Sequence, residues 1–326
     1  MVAHAAGVSR ATVSRVVNGS PNVRPEALSA VNAAIAELRY VPNRAARSLA
    51  SRATNAIALI VPEDVTVFFG DPFFAAIVKG ITDRIDDSPY VLNLLVASSA
   101  PGRKTRDFLE SGAVDGAIVT SHHVGDRLVS DHASVPVVYG GQPAVAAEDP
   151  YFVDVDNRAA AATATQHLID IGRRRLATIT GPVDMHAATD RLRGFQDTVE
   201  AAGLRSDLVG VGDFTADRAA QATRELLDRV GDNGIDGLFV ASDLMATGTL
   251  RVLEERGLRV PEDVAIVGFD DSPAASTARV PLTTVAQPSE RQGWLMADML
   301  IRVLAGKSDV PRQAILETTL VIRESA

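Results

Sequence analysis

The chain has no cysteine, which excludes disulfides, thiolate metal sites and thiol nucleophiles together, although it assigns no compartment. It has no apolar run near the roughly 18 residues that a membrane helix needs, so no segment reads as a bilayer span. The opening MVAHAAGVSRATVSR lacks a basic head followed by an apolar stretch. No secretory signal is read there, and the cytoplasm is the expected location. Enzyme signatures are missing as well: there is no GxxxxGK(S/T) loop to cradle phosphate, no HExxH and no GxSxG. The reading is therefore not an enzyme, with no cofactor and no metal.

A positive charge balance is also lacking, since the net charge is −9, and that looks poorly suited to nucleic acid. The distribution along the chain points the other way. Residues 1–55 hold Arg10, Arg15, Arg24, Arg39, Arg44, Arg47 and Arg52 against Glu26 and Glu37, a net of +5 that leaves −14 on the remainder. A small basic head on an acidic body can hold phosphate at one end while the body repels it. The plainer alternative is a solvated arginine-rich segment.

At 326 residues the chain is longer than one core usually grows, so two or three domains are expected. The first 52 residues read as short helices. Ser9 can cap a helix over about 10–17, and Gly7 before it suits a tight turn. Pro25 fits the first position of a second helix, whose Leu28, Val31, Ile35 and Leu38 fall on one face; Pro42 ends it. From residue 56 short apolar runs take over, at 56–61, 90–96, 116–120, 135–139, 176–180, 208–212, 237–241 and 264–269. Segments of helical periodicity lie between them, at 73–86, 157–171, 188–202, 216–230 and 243–256. Such runs imply parallel sheets covered on both faces, and eight strands in two sets of about four suggest two similar lobes.

GVSRATVSRVVNG, residues 7–19, is the strongest local signal. A small-residue turn (Ala6, Gly7, Val8) precedes a helix whose Val13, Val16 and Val17 can pack inward. Arg10, Ala11, Ser14 and Arg15 then face outward, where an arginine can bond guanine in bidentate fashion and a small residue can admit a thymine methyl. A small helical cap of the same pattern is the alternative. Elsewhere, His122 and His123 are adjacent, point to opposite faces if on a strand, and read as a solvated loop rather than a metal pair. Asp154 and Asp156 precede a helix and read as its caps rather than as a catalytic pair.

The residues from Val2 to Ala50, with Ala6, Gly7, Val8, Ser9, Thr12, Val13, Ser14, Arg15, Val16, Asn18 and Gly19 and then YVPNRAARSL, closely resemble the DNA-binding head of the LacI/GalR family of bacterial transcription regulators. The likeness continues through DPFFAAIVKGI, VDVDNRAAAATATQHLIDIGRRRLATITGP, DRLRGF, ASDLMATGTLRVLEERGLRVPEDVAIVGFDD and PLTTVAQP, in the family's order. It implies a small all-α helix-turn-helix head plus an α/β two-lobed periplasmic-binding-protein-like (type I) effector domain with parallel sheets. The implied division is a head at 1–42, a hinge helix or linker at 43–53, one lobe at 54–153 with 284–312, and a second at 154–283 with 313–326. The chain would cross between lobes near 153, 283 and 313.

By the same resemblance Arg10, Ala11 and Arg15 read bases, while Ser9, Thr12, Ser14 and Asn18 position the head on phosphates. Asn43, Arg47 and Leu49 belong to the segment that resembles the hinge helix, which orders on DNA, with Leu49 as a minor-groove wedge. Phe73, Phe74, Arg191, Phe214, Ser242, Asp243 and Asp270 match effector-binding positions in the cleft. The expected partners are a palindromic operator, a second copy of the chain in a homodimer, and a small effector: a sugar first, a nucleobase or nucleoside second. The expected activity is repression controlled by that effector; the alternative is a transport-type sugar-binding protein with no DNA role. Three departures from the family pattern stand out. Gly140 occupies the place of an effector-binding aspartate, and Arg24 and Arg39 replace small residues in the head. VIRESA carries no leucine-heptad tail, so a dimer rather than a tetramer is expected. Met1 stands where relatives carry the aspartate of a longer first helix, so an upstream start is expected.

Overall fold

The computed structural model describes residues 1–17, 22–40, 53–96, 103–124, 134–143 and 149–326. Asn18, Asn43, Arg47, Leu49 and residues 43–52 of the expected hinge lie outside them.

The head comprises helices Val2–Ala5, Arg10–Val17 and Pro25–Glu37. Val2, Val16, Val31 and Ala34 form its core, with Val8, Val13 and Ile35 packed against them. Gly7 turns the chain at φ +62, a left-handed conformation that costs glycine little. Ser9 Oγ then accepts from the Thr12 amide at 3.1 Å and starts the second helix. The third helix buries a narrower face than its periodicity predicts. Val31 is buried, whereas Leu28 and Leu38 are 43% and 36% exposed, because the two short neighbouring helices cover only its middle.

Two six-stranded sheets follow. The first contains β1 (Ala56–Val61), β2 (Val91–Val96), β3 (Gly116–Thr120), β4 (Val137–Gly140), β5 (Tyr151–Val155) and β11 (Gln313–Leu316), ordered β11-β5-β4-β3-β1-β2. The second contains β6 (Leu176–Thr180), β7 (Val209–Val211), β8 (Gly237–Val240), β9 (Ala265–Asp270), β10 (Thr283–Ala286) and β12 (Thr319–Val321), ordered β12-β10-β9-β8-β6-β7. The antiparallel partner of β10 is β12; the pairs β1–β2, β1–β3, β6–β8 and β8–β9 are parallel. Every residue of β1, β3, β6 and β8 is buried, as strands covered on both faces must be.

The covering helices approach closely through glycine. A Cβ on Gly293 would stand 2.3 Å from Ile77 O, which draws Ser289–Leu304 onto Pro72–Ile85 in the first lobe. In the second lobe a Cβ on Gly194 would stand 2.2 Å from Arg158 O, so His186–Ala201 lies on Asn157–Asp170.

The chain passes from one sheet to the other after Val155, after Ala286 and after Leu316, each a few residues beyond the expected point. Gln313–Leu316, expected in the second lobe, pairs in parallel with β5 in the first. The reason is register: Ala314 opposite Val153 and Leu316 opposite Val155 continue the first sheet before the chain returns. Among the described residues no helix is long and apolar enough to cross a membrane.

Candidate functional site

A cleft opens between the lobes at the carboxyl ends of the parallel strands, where loops and helix N-termini converge in open α/β sheets. On the first-lobe side Asp71 caps Pro72–Ile85 by accepting from the Phe73 amide at 2.9 Å. Phe73 and Phe74 follow on the same wall, with Ser121 and His122 after β3, Gly140 at the end of β4, Asp154 on β5 and Gln292 on Ser289–Leu304. The second lobe supplies His186, Arg191, Phe214, Ser242 and Asp270. Apolar rings beside convergent polar groups are the usual make-up of a small-molecule site.

Arg191 is the charged centre of the cleft, 5% exposed. Its Nε donates to Asn157 Oδ1 at 2.8 Å and its Nη1 to Ala241 O at 2.5 Å. The guanidinium carbon lies 3.5 Å from the centroid of the Phe269 ring, and Asp270 Oδ1 is 3.9 Å from Nη1. Burial pulls the Arg191 pKa down, while Asp270, Asp154 and Asp71 oppose that shift. The carboxylates feel the same desolvation. Burial pushes Asp71 up to about 6 against the Phe73 amide and Arg191. Asp270 is raised well above the usual carboxylate range by burial, and Asp154 is raised for the same reason. Acceptors held in this way are suited to ligand hydroxyls, which supply donors without bringing a charge.

The backbone is unusual at the cleft. Ser121, Phe214 and Asp270, none of them glycine, have φ of +58, +65 and +110. Such conformations cost of order 1–3 kcal/mol each and persist where packing over-determines them. The aromatic platform is one such place. A Cβ on Gly181 would fall 2.3 Å from the Phe214 ring, so the ring lies directly on glycine backbone.

At the lip of the cleft, His123 spans the lobes. Its Nε2 is 3.2 Å from Glu63 Oε1 after β1, and its Nδ1 is 3.1 Å from Asp184 Oδ2 after β6. The Val124 amide donates to Asp184 O at 2.7 Å beside it. Hydrogen bonding to Glu63, helped by Asp184 and opposed by burial, pushes His123 up to about 9. His122 faces its own lobe, with Nε2 2.9 Å from Gln142 O. The segment is a loop as expected, but both rings are half-buried rather than solvated, because the second lobe covers this segment. Among the described residues no group of His, Cys, Asp and Glu is arranged to hold a metal ion.

Of the seven cleft residues expected from the sequence, Phe73, Phe74, Arg191, Phe214, Ser242 and Asp270 line the wall. Phe74 is only 3% exposed and also packs on Phe68, with centroids 5.2 Å apart. Ser242 caps Asp243–Glu255, its hydroxyl accepting from the Met245 amide at 3.2 Å. Asp243 points away from the cleft. It is fully buried and accepts from Thr284 Oγ1 at 2.6 Å and the Ser272 amide at 2.8 Å, which supports the loop carrying Asp270.

Asp156 does cap Asn157–Asp170, accepting from the Ala159 amide at 2.9 Å. Asp154 does not; it accepts from the Gln142 amide at 2.9 Å, the Val155 amide at 2.8 Å and Asn157 Nδ2 at 3.1 Å, and lines the cleft. Sequence reasoning does not assign Asp71, Asn157, Gln292, Glu63 or His123 to the site. Their signal is positional: most follow a strand end or open a helix, where the doubly wound fold gathers its ligand groups. Gly140 does more than lack a carboxylate. A Cβ there would stand 2.9 Å from Met296 Sδ and 3.0 Å from Thr120 Oγ1, so a side chain at this strand end requires Met296 to shift. In the head, Ser9, Arg10, Ala11, Ser14 and Arg15 are exposed and Thr12 is half-buried.

Residues 2–43 match the family described as bacterial regulatory proteins, lacI family, and residues 165–326 match the periplasmic binding protein-like domain. The chain is 46% identical over 331 residues to the HTH-type transcriptional regulator CelR of Thermobifida fusca, covering 100% of this chain and 97% of that protein. A solved structure of a transcriptional regulator CelR–cellobiose complex is similar at a TM-score of 0.79 and 44% identity, covering 100% of this chain and 98% of the other. The lac repressor dimer bound to operator and the anti-inducer ONPF is similar at a TM-score of 0.84 and 28% identity, covering 99% and 97%.

Proposed function

The chain belongs to the lacI family of bacterial regulatory proteins, and on that premise we propose that it represses transcription from a palindromic operator as a cytoplasmic homodimer, released or tightened by a neutral sugar bound between its lobes. It is a DNA-binding transcriptional regulator, not an enzyme. The observation that carries the sugar reading is the buried Arg191, set among Asp71, Asp154 and Asp270 beside Phe73 and Phe214. Carboxylates and a guanidinium accept from and donate to hydroxyls, and aromatic faces cover the apolar faces of a pyranose. The CelR–cellobiose complex makes a β-linked glucose disaccharide the first candidate.

In this reading Arg10, Ala11 and Arg15 meet base edges, Ser9, Thr12, Ser14 and Asn18 meet phosphates, and Asn43, Arg47 and Leu49 act at the minor groove. The division proposed is a head to about residue 42, a linking segment to 53 and the two lobes beyond. Sugar binding acts through its different affinity for two lobe arrangements, which set the spacing of the paired heads. The test is a thermal-shift screen of neutral mono- and disaccharides, followed by operator binding with and without each hit. A sugar that raises the melting temperature and changes operator affinity supports the reading; a panel that does neither overturns it.

A further inference from the structure

Gln292 lies in the cleft wall on the first-lobe side, 4% exposed. Its Nε2 donates to Val153 O at 2.9 Å, which fixes which end of the amide is nitrogen. Its Oε1 is buried and has no hydrogen-bond partner. Buried acceptors are nearly always satisfied, so an orphan in a ligand cleft points to a donor that arrives from outside the chain.

The location adds a second argument. Val153 is the register partner of Gly140 across β4 and β5. Met296, one helical turn beyond Gln292 and so on the same helix face, is the residue that a Gly140 Cβ would strike. Gln292 therefore stands over the strand end at which Gly140 carries no side chain.

We propose that Gln292 is a specificity-determining residue of the first lobe, its Oε1 accepting a hydrogen bond from one ligand hydroxyl at the strand end where Gly140 carries no carboxylate. This rests on the reading that a sugar fills the cleft. One Nε2–H goes to Val153 O, and the group left without a partner is the Oε1 acceptor. It rewards a hydroxyl and disfavours a carboxylate, a phosphate or an ether oxygen at that point of the ligand, which gives the wall a preference for neutral, unsubstituted sugars.

The test uses the full chain and Gln292→Leu, of similar volume. Without sugar, the variant is expected to melt at or above the wild-type temperature. It removes an orphan acceptor, and Val153 O keeps its bond from the Gly141 amide at 2.9 Å. Calorimetric titration with cellobiose, or with whichever neutral sugar of the panel binds wild type, should show a Kd raised about 10-fold or more. Wild-type affinity in the variant overturns the role of Gln292 while leaving the sugar reading intact. If no sugar binds wild type, the sugar reading fails and the proposal that depends on it falls too.

Discussion

Arg191 is held by Asn157, whose Oδ1 accepts from Nε at 2.8 Å, while Asn157 Nδ2 donates to Asp154 Oδ1 at 3.1 Å. The relay runs from the last residues of β5 in the first sheet, through the start of the crossing helix, to the guanidinium in the second lobe. One cleft-lining cation is thus oriented by a segment that both lobes share, so lobe movement and Arg191 geometry are coupled.

Arg191→Lys should break that relay without removing the charge. An ammonium cannot donate to Asn157 and Ala241 in a fixed fork, and it is a poorer neighbour for the Phe269 ring. Sugar affinity is expected to fall by about 10- to 100-fold, roughly 1.4–2.8 kcal/mol, with operator binding retained. Arg191→Met should be harsher, destabilising the chain by about 3–5 kcal/mol, because Asp270 and Asp154 lose their buried counter-charge. Titration calorimetry and urea unfolding separate the two effects.

Asp71 illustrates a group that costs stability for the sake of the site. Burial places its folded pKa at about 6, above the ordinary carboxylate value. Its proton is therefore favoured by folding: the contribution is full below about pH 4 and is lost as pH rises through 6. Asp71→Asn keeps the helix cap, since asparagine caps as well as aspartate. It should match wild type in acid and become more stable by about 1–2 kcal/mol above pH 6, while sugar binding weakens. Denaturation curves at pH 3.5 and 7.5 check both halves.

The bridge at His123 also gains from a proton on folding, over a higher pH window. Its folded value of about 9 lies above the ordinary 6.5 of histidine, so the charged ring favours the folded, closed arrangement. That contribution is fully present below pH 6.5 and is lost as pH rises towards and past 9. The ring is partly solvated, which screens the pair, so the effect is about 1 kcal/mol. His123→Gln should flatten the pH dependence of stability between 6.5 and 9.5. Small-angle scattering should find the variant less closed at pH 7. An unchanged pH profile in His123→Gln would show that the bridge contributes nothing.

Much of this architecture was legible, for reasons that particular residues make plain. Fully buried strands such as AIALIV and GAIVT stand out as apolar runs, and Pro72–Ile85 and Ala216–Val230 carry strong helical periodicity. Gln313–Leu316 did not stand out because its residues alternate between exposed and half-buried. Thr283–Ala286 is nearly all buried yet half threonine. Both strands adjoin points where the chain changes lobe, so their partners are distant in sequence. The cleft divides in the same way. Arg191, Phe214 and Asp270 lie in recognisable motifs, whereas Asp71 looks like an ordinary helix cap, which it also is. Asp243 shows the reverse error. It is adjacent to a wall residue, Ser242, but one step along the start of a helix turns its carboxylate onto Thr284 and the Ser272 amide.

Gly140→Asp tests whether a carboxylate can be restored at the end of β4. The clash with Met296 Sδ and Thr120 Oγ1 should destabilise the chain by about 1–3 kcal/mol, the usual range for overpacking. Adding Met296→Ala opens one side of the space and should recover part of the loss. If the single variant is as stable as wild type in urea, the strand end is more accommodating than its contacts imply.

The head offers a prediction that separates reading from docking. Arg15 is exposed on Arg10–Val17, on the side away from the Val16, Val31 and Ala34 core. If Arg15 meets a base edge in bidentate fashion, Arg15→Ala should lose about 1–3 kcal/mol on the preferred operator and relax the preference at one base position per half-site. If it meets phosphate instead, affinity should fall alike on every sequence and the salt slope should shrink by about one charge per head. The base role is the expected one, and competition among singly substituted operators at two salt concentrations distinguishes the outcomes. The −14 balance of the body sharpens the measurement, because repulsion between body and DNA suppresses binding that does not pass through the head.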